Sequence, residues 1–261
     1  MNGALWVAKT GLTAQDAALR TISNNLANVS TVGFKKDRAV FQDLFYQIDR
    51  QPGAQSSQTT QLSSGLQLGT GVKTVGTQKQ FTNGTLQITS QPTDVAINGR
   101  GFFQVLSPDG SLNYSRDGQF HLDPNGQLVT ANGYALEPAI TIPANTQTIS
   151  ISDDGIVSVT QVGTTAPTQI GTIQIADFVN PGGLEARGQN LYVETASSGS
   201  ATVGSPGLAG LGSLKQGALE NSNVNVVEEL VSMISTQRAY EINSKVISTA
   251  DQMLQYVNQN L

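Results

Sequence analysis

The side chains able to do chemistry in this sequence are few and scattered. The single histidine, His121, stands between Phe120 and Leu122 in an alternating stretch. An imidazole can shuttle protons near neutral pH or ligate a metal, but a metal site needs further His, Cys or carboxylate donors at set spacings. His121 has no second His or Cys to join it, so it reads as a strand residue with a packing role. Asp153-Asp154-Gly155 sets two carboxylates side by side, the raw material of an acid/base pair. Adjacent acids before a glycine are far more often a solvated turn. Gly65-Leu66-Gln67-Leu68-Gly69-Thr70-Gly71 has the glycine density of a phosphate-cradling loop, yet no Lys-Ser/Thr and no helical pattern follow it. Lys35, Lys36 and Arg38 form the one basic cluster, which a solvated loop explains better than a phosphate contact. Asn28-Val29-Ser30 and Asn83-Gly84-Thr85 match the glycosylation sequon at the rate chance allows. The expectation is a chain that is not an enzyme and has no catalytic residues, no cofactor and no metal.

Composition narrows the partners. Of 261 residues, 38% are hydrophobic, 6% aromatic and only 13% charged, with Gly, Ser, Thr, Gln and Asn in their place. A net charge of −5 argues against a nucleic-acid footprint, which needs clustered Lys and Arg. No cysteine is present, which rules out disulfides and thiolate metal sites. Residues 1–30 lack a basic segment leading into a continuous apolar one, and no run approaches a membrane span of about 20 apolar residues. A soluble chain without a cleaved signal is expected, with export by machinery that reads an uncleaved N-terminus left open.

The elements that must carry these residues divide the chain in three. Between residues 83 and 155 lie seven Asn-Gly or Asp-Gly pairs, at Gly84, Gly99, Gly110, Gly118, Gly126, Gly133 and Gly155, and such pairs supply the positive-φ residues of tight hairpins. The runs between them alternate, as in Phe120 and Leu122 or Val157 and Val159. Short antiparallel strands in a sandwich or partly closed barrel follow from this. Thr168 to Phe178 reads as one strand and Leu184 to Val193 as another. Thr195 to Gly217 reads as a Gly/Ser-rich crossing.

The two ends are helical. Val226, Met233, Tyr240, Ile247, Leu254 and Leu261 recur at a spacing of seven, and Leu230, Val231, Ile234, Ile242, Val246, Ala250, Met253 and Val257 widen the stripe. Such a period marks a helix that buries one face along a partner. Asn225, three residues before Glu228, is a capping signal at its start. At the other end Leu5, Ala8, Leu12, Gln15, Leu19, Ile22, Leu26 and Val29 step by threes and fours. This helix is slightly basic, with Lys9 and Arg20 against Asp16, and the other is acidic. The expectation is an α+β chain: two long terminal helices in a coiled-coil-like pair, with an antiparallel β-rich outer domain and an extended arm inserted between them. Two ordinary surface helices packing on a central domain are the alternative. Trp6 is expected to anchor an interface or core.

The string Ser23-Asn24-Asn25-Leu26-Ala27-Asn28, continuing Val29-Ser30-Thr31-Val32-Gly33-Phe34-Lys35, resembles the N-terminal signature of the flagellar rod and hook axial proteins. Ser222-Asn223-Val224-Asn225-Val226-Val227-Glu228-Glu229, with Gln237-Arg238-Ala239-Tyr240-Glu241 beyond it, resembles their C-terminal one. Asn25, Leu26, Ala27, Asn28, Thr31, Gly33, Phe34, Lys35, Gln237, Arg238, Ala239 and Tyr240 carry the likeness. Val40, Phe41, Leu44, Phe45 and Ile48 fall at helical spacing and suggest a short packed helix over 39–48. Residues 49–71 read as linker from composition, whereas the resemblance makes Tyr46 to Gly71 an arm against neighbouring subunits. That arm points to a rod member over its hook relative and over the last proximal rod subunit. The resulting division is an N-terminal helix over 1–33, an arm over 34–71, an outer domain over 72–220 and a C-terminal helix over 221–261.

The resemblance implies a structural subunit that polymerises helically into a tubular drive shaft in the basal body, spanning periplasm to outer membrane. It implies as partners further copies of the chain, proximal rod proteins, the hook protein, the rod cap and the L and P ring proteins, with no nucleic acid or small-molecule substrate. Leu5, Leu12, Leu19, Ile22, Leu26, Val226, Leu230, Met233, Tyr240, Ile247 and Leu254 would form the assembly seams. A secreted β-rich carbohydrate-active or binding protein is the reading from another class.

Overall fold

The computed structural model describes residues 3–53, 63–164 and 166–259. Leu261, residues 54–62 of the arm stretch and the side chain of Val257 lie outside them. The chain forms two compact units, one built from Met1–Ala27, Asp37–Gln78 and Asn225–Leu261, the other from Asn28–Lys36 and Lys79–Val224.

The first unit is led by helices α1 (Gly3–Ala27) and α2 (Val226–Gln259). The first stops where Val29, Thr31 and Val32 disfavour helix. Past Ala27, Thr31 N–H bonds back to the Asn28 carbonyl at 3.2 Å. The second starts as its sequence indicates: Asn225 Oδ1 accepts from the N–H of Val227 at 3.1 Å and of Glu228 at 3.5 Å, and Glu228 and Glu229 complement the positive end of the helix dipole. The 34 residues of α2 make a rod of roughly 50 Å. The helices lie antiparallel, since Asn25 near the end of α1 bonds Glu229 near the start of α2, while Gly11 approaches Asn243.

Four strands complete this unit: β1 (Asp37–Asp43), β2 (Tyr46–Arg50), β3 (Leu66–Gly69) and β4 (Val72–Lys79). Strand β1 pairs with β4, and β2 runs antiparallel to β3 with Tyr46 opposite Gly69 and Ile48 opposite Gln67. The helix expected over 39–48 is therefore wrong. Val40, Phe41, Phe45 and Ile48 are β-branched or aromatic residues of high strand propensity. Their strand partners lie well beyond one helical turn, as in Thr70 N–H to the Phe45 carbonyl, and a local periodicity cannot register such pairing. The linker reading of 49–71 fails for the same reason, because β3 lies within it.

The second unit is β-rich, as the turn signals indicate. Its strands are β5 (Leu86–Ile88), β6 (Val95–Asn98), β7 (Phe102–Leu106), β8 (Leu112–Ser115), β9 (Phe120–Leu122), β10 (Leu128–Thr130), β11 (Ala135–Glu137), β12 (Thr146–Ile151), β13 (Ile156–Gln161) and β14 (Thr168–Thr172). They continue with β15 (Ile175–Asp177), β16 (Glu185–Gly188), β17 (Leu191–Val193), β18 (Thr202–Gly204), β19 (Ser213–Gln216) and β20 (Ala218–Glu220). The largest sheet runs β16-β17-β8-β7-β11-β10-β9, with β15 joining β7 to β18. A second sheet is β12-β13-β14, and the pairs β19-β6 and β20-β5 complete the set.

Gly110, Gly126, Gly133 and Gly155 hold positive φ in the hairpins β7-β8, β9-β10, β10-β11 and β12-β13. The other three pairs do different work. Gly118, for example, has no room for a side chain, since a Cβ there would lie against the Val95 carbonyl. The span 168–178 holds two strands in different sheets, 184–193 is a hairpin, and the 195–217 crossing contains β18 and β19. The main core packs Val95, Ile97, Phe103, Phe120, Leu128, Leu136, Val157, Ile173 and Leu214. A second core is aromatic: Phe102, Tyr114, Phe178 and Tyr192 with Phe81 against them, meeting edge to face at 4.8–6.0 Å between ring centres.

Candidate assembly surface and buried junction

In the helical unit, the α2 side turned to α1 is not its most apolar one. Glu229 and Ala250 are buried there, and Met233, Thr236, Ala239, Asn243 and Ile247 are half-buried between them. On α1, Ala8 and Ala14 are buried, and Leu5, Leu12, Leu19, Ile22 and Leu26 are half-buried. By contrast Val227 is 69% exposed, Val231 62%, Ile234 50% and Ile242 65%. Val231, Ile234, Ser235, Arg238, Ala239 and Ile242 line a shallow groove on that face. Of the expected seam, Met233 and Ile247 sit on the covered side, while Val226, Leu230, Tyr240 and Leu254 are exposed. In soluble proteins a contiguous exposed apolar stripe is uncommon outside interaction surfaces. Trp6 is half-exposed, with the Lys9 ammonium 5.5 Å from its ring, so within the chain it anchors no core. Gln237 and Arg238 are also exposed.

In the β-rich unit, the signature segment 28–36 is a built-in part of the structure. Gly33 has φ 69°, and a Cβ on it would meet the Arg116 backbone at 2.7 Å. Its N–H donates to the Glu220 carbonyl at 2.7 Å, and Asn223 N–H donates to the Phe34 carbonyl at 3.4 Å. Phe34 carries the Lys79 ammonium 5.5 Å from its ring. Asn190 donates to the Val32 carbonyl at 3.0 Å from a turn whose Gln189 and Asn190 both have positive φ, a strained arrangement for residues with a Cβ. Asn223 accepts from Lys36 N–H at 2.8 Å and donates to the Gln80 carbonyl at 2.8 Å.

At the centre stands Lys35, whose side chain is 0% exposed. The solvated-loop reading of the basic cluster is thus overturned for this residue. Its ammonium donates to Glu220 Oε1 at 2.6 Å and to the Thr82 carbonyl at 2.8 Å. Gly84 N–H donates to the same Oε1 at 2.8 Å, and Arg116 donates to Oε2 at 3.3 Å and to the Gly99 carbonyl at 2.8 Å. One carboxylate therefore serves two buried cations. Such a cluster holds together only while every member is paired. Glu220 and Arg116 were absent from the sequence reading. The available signal was a lone carboxylate closing the run Gly217-Ala218-Leu219-Glu220, where alternation alone cannot place it inside.

Burial pushes the Lys35 ammonium below the ordinary lysine value; Glu220 opposes that push and the Arg116 guanidinium adds to it. The folded chain then releases this proton at lower pH than the unfolded chain. Between the two values unfolding takes up a proton, so stability rises with pH there. Urea unfolding of the full chain should show this climb as pH rises toward about 10.4, the ordinary lysine value. Lys35→Met should flatten it, and an unchanged climb in that variant would assign the effect elsewhere. Burial raises the Tyr114 hydroxyl, which acts in the opposite sense only above about pH 10.

The residues singled out for chemistry stay apart. His121 is exposed on β9 opposite Val129. Asp154-Gly155 forms the β12-β13 turn, and Leu66–Gly69 is strand. Among the described residues no group of three or more His, Cys, Asp or Glu could hold a metal ion, and no helix is long and apolar enough to cross a membrane.

Comparison with known proteins agrees with the two signatures and the β-rich centre. Residues 5–35 match the family described as flagella basal body rod protein, residues 96–159 the flagellar hook protein FlgE/F/G D1 domain, and residues 215–260 the flagellar basal body rod FlgEFG protein C-terminal region. The chain is 59% identical to the flagellar basal-body rod protein FlgG of Buchnera aphidicola from Schizaphis graminum, over 99% of this chain and 100% of that protein. It is 49% identical to the protein of the same name from Borreliella burgdorferi, over 99% and 98%. The corresponding Bacillus subtilis protein is 38% identical, over 98% and 97%.

Proposed function

The chain belongs to the flagellar basal-body rod protein family, and from that premise we propose that it forms the distal part of the rod. As a member it is a structural subunit of the basal body, assembled with other basal-body components. In the proposed role, copies add head to tail in an open helical array and make the tubular shaft that carries torque through the periplasm and the outer-membrane ring bushing to the hook. Its neighbours are then further copies, proximal rod proteins, the hook protein, the rod cap and the L and P rings, and it reaches them through the flagellar exporter. It performs no catalysis.

The observation that carries this reading is the open apolar face of α2, with Val227, Val231, Ile234 and Ile242 exposed along one side of a long helix. The proposed assembly set joins that face to the seam residues Leu5, Leu12, Leu19, Ile22, Leu26, Val226, Leu230, Met233, Tyr240, Ile247 and Leu254, with the β2-β3 arm against adjacent subunits. Electron cryomicroscopy of basal bodies from cells lacking the chain should show a shortened rod without a hook, restored when the chain is supplied. A full-length hooked rod in those cells would overturn the proposal.

A further inference from the structure

We infer that Asn25, acting with Glu229, sets the axial register of the α1-α2 pair. This goes beyond membership of the rod, because it assigns signature residue Asn25 a positioning role inside one chain. Asn25 is 1% exposed and Glu229 7%. The Asn25 amide is fixed by Asp37, whose N–H donates to Oδ1 at 2.9 Å and whose carbonyl accepts from Nδ2 at 2.8 Å. Nδ2 also donates to Glu229 Oε2 at 3.3 Å.

The rest of the contact discriminates poorly between registers. The buried hydrophobic residues of the two helices are the small Ala8, Ala14 and Ala250, and the larger Met233 and Ile247 are only half-buried, so none of them fixes one register as a buried polar pair does. Gly11 lies where an added Cβ would be 3.1 Å from Asn243 Nδ2, so the helices approach closely there. Moving α2 by four residues would bring Met233 to the place of Glu229. The Asn25 amide, still held by Asp37, would then have an apolar neighbour where its acceptor now stands, and a buried donor without an acceptor is disfavoured. A single buried polar residue fixes register in this way in coiled coils.

The cysteine-free chain allows a direct test. In the full-length protein, Gly11→Cys with Asn243→Cys reports the observed register, while Gly11→Cys with Ala239→Cys or Ile247→Cys reports a slip of one turn either way. Under mild oxidation the first pair should cross-link and the other two should stay near background. Asn25→Leu should erase that preference, with the slipped pairs gaining what the first loses. Glu229→Leu should do the same, whereas Glu229→Gln, which keeps an acceptor, should retain the preference. If Asn25→Leu loses its helical signal by circular dichroism, Glu229→Leu carries the test, since the Asn25-Asp37 bonds remain in it. Unaltered preference in Glu229→Leu, or equal cross-linking of all three pairs in the otherwise native chain, would overturn the inference.

Discussion

Glu220→Ala should destabilise the β-rich unit by about 3–5 kcal/mol, the range for removing one partner from a buried ion pair. The Glu220 side chain is 1% exposed and accepts from Lys35, Arg116 and the Gly84 N–H. Its loss leaves two cations in the interior without that carboxylate, Lys35 against the Thr82 carbonyl and Arg116 against the Gly99 carbonyl and the Phe102 ring. Lys35→Met is the informative contrast. It removes a charge whose burial already disfavours it, leaves Arg116 matched to Glu220, and fills most of the same volume with apolar atoms. Its effect should be far smaller than that of Glu220→Ala, and apolar replacement of buried charges is often neutral or stabilising. Urea unfolding with unchanged m-values would measure both. Equal losses in the two variants would show that the cluster is not held by its single carboxylate.

Substituting the open face of α2 should do the reverse, sparing the fold and abolishing assembly. Val231 and Ile242 are 62% and 65% exposed, so Val231→Asp with Ile242→Asp should change the stability of the isolated chain by no more than about 0.5 kcal/mol per site. Covered by another subunit, each new carboxylate would lose its water, a penalty of several kcal/mol per ion that pairing with Arg238 of the same groove would offset only in part. The double variant should be exported, fold as the native chain does, leave the rod unbuilt and the cells non-motile. Motile cells with normal rods would place the subunit contact elsewhere.

What could be read from the sequence was whatever depends on short separations. The period of seven in α2, its Asn225 cap and the hairpins at Gly110, Gly126, Gly133 and Gly155 are all local, and the structure has them. The failures involve partners far along the chain. Phe41 and Ile48 fit a helical spacing, but their strands are completed by residues of β4 and β3. Lys35 looked like a solvated cation because Lys36 and Arg38 flank it, while the carboxylate that makes its burial tolerable lies 185 positions away. The heptad reading was partial for a related reason. Periodicity showed that α2 has an apolar stripe, but the intrachain partner takes the side bearing Glu229, Thr236 and Asn243, and that choice rests on small and polar residues that an apolar count ignores.

The central claim, that the open α2 face belongs to subunit contacts in the rod, is tested most directly by labelling Ile242→Cys, a unique thiol in a chain without cysteine. A maleimide should modify it rapidly in the purified monomer, where position 242 is exposed, and should fail to modify it in isolated basal bodies of motile cells carrying the variant. Equal labelling in the two states would contradict the account, because the face would then remain open in the finished rod.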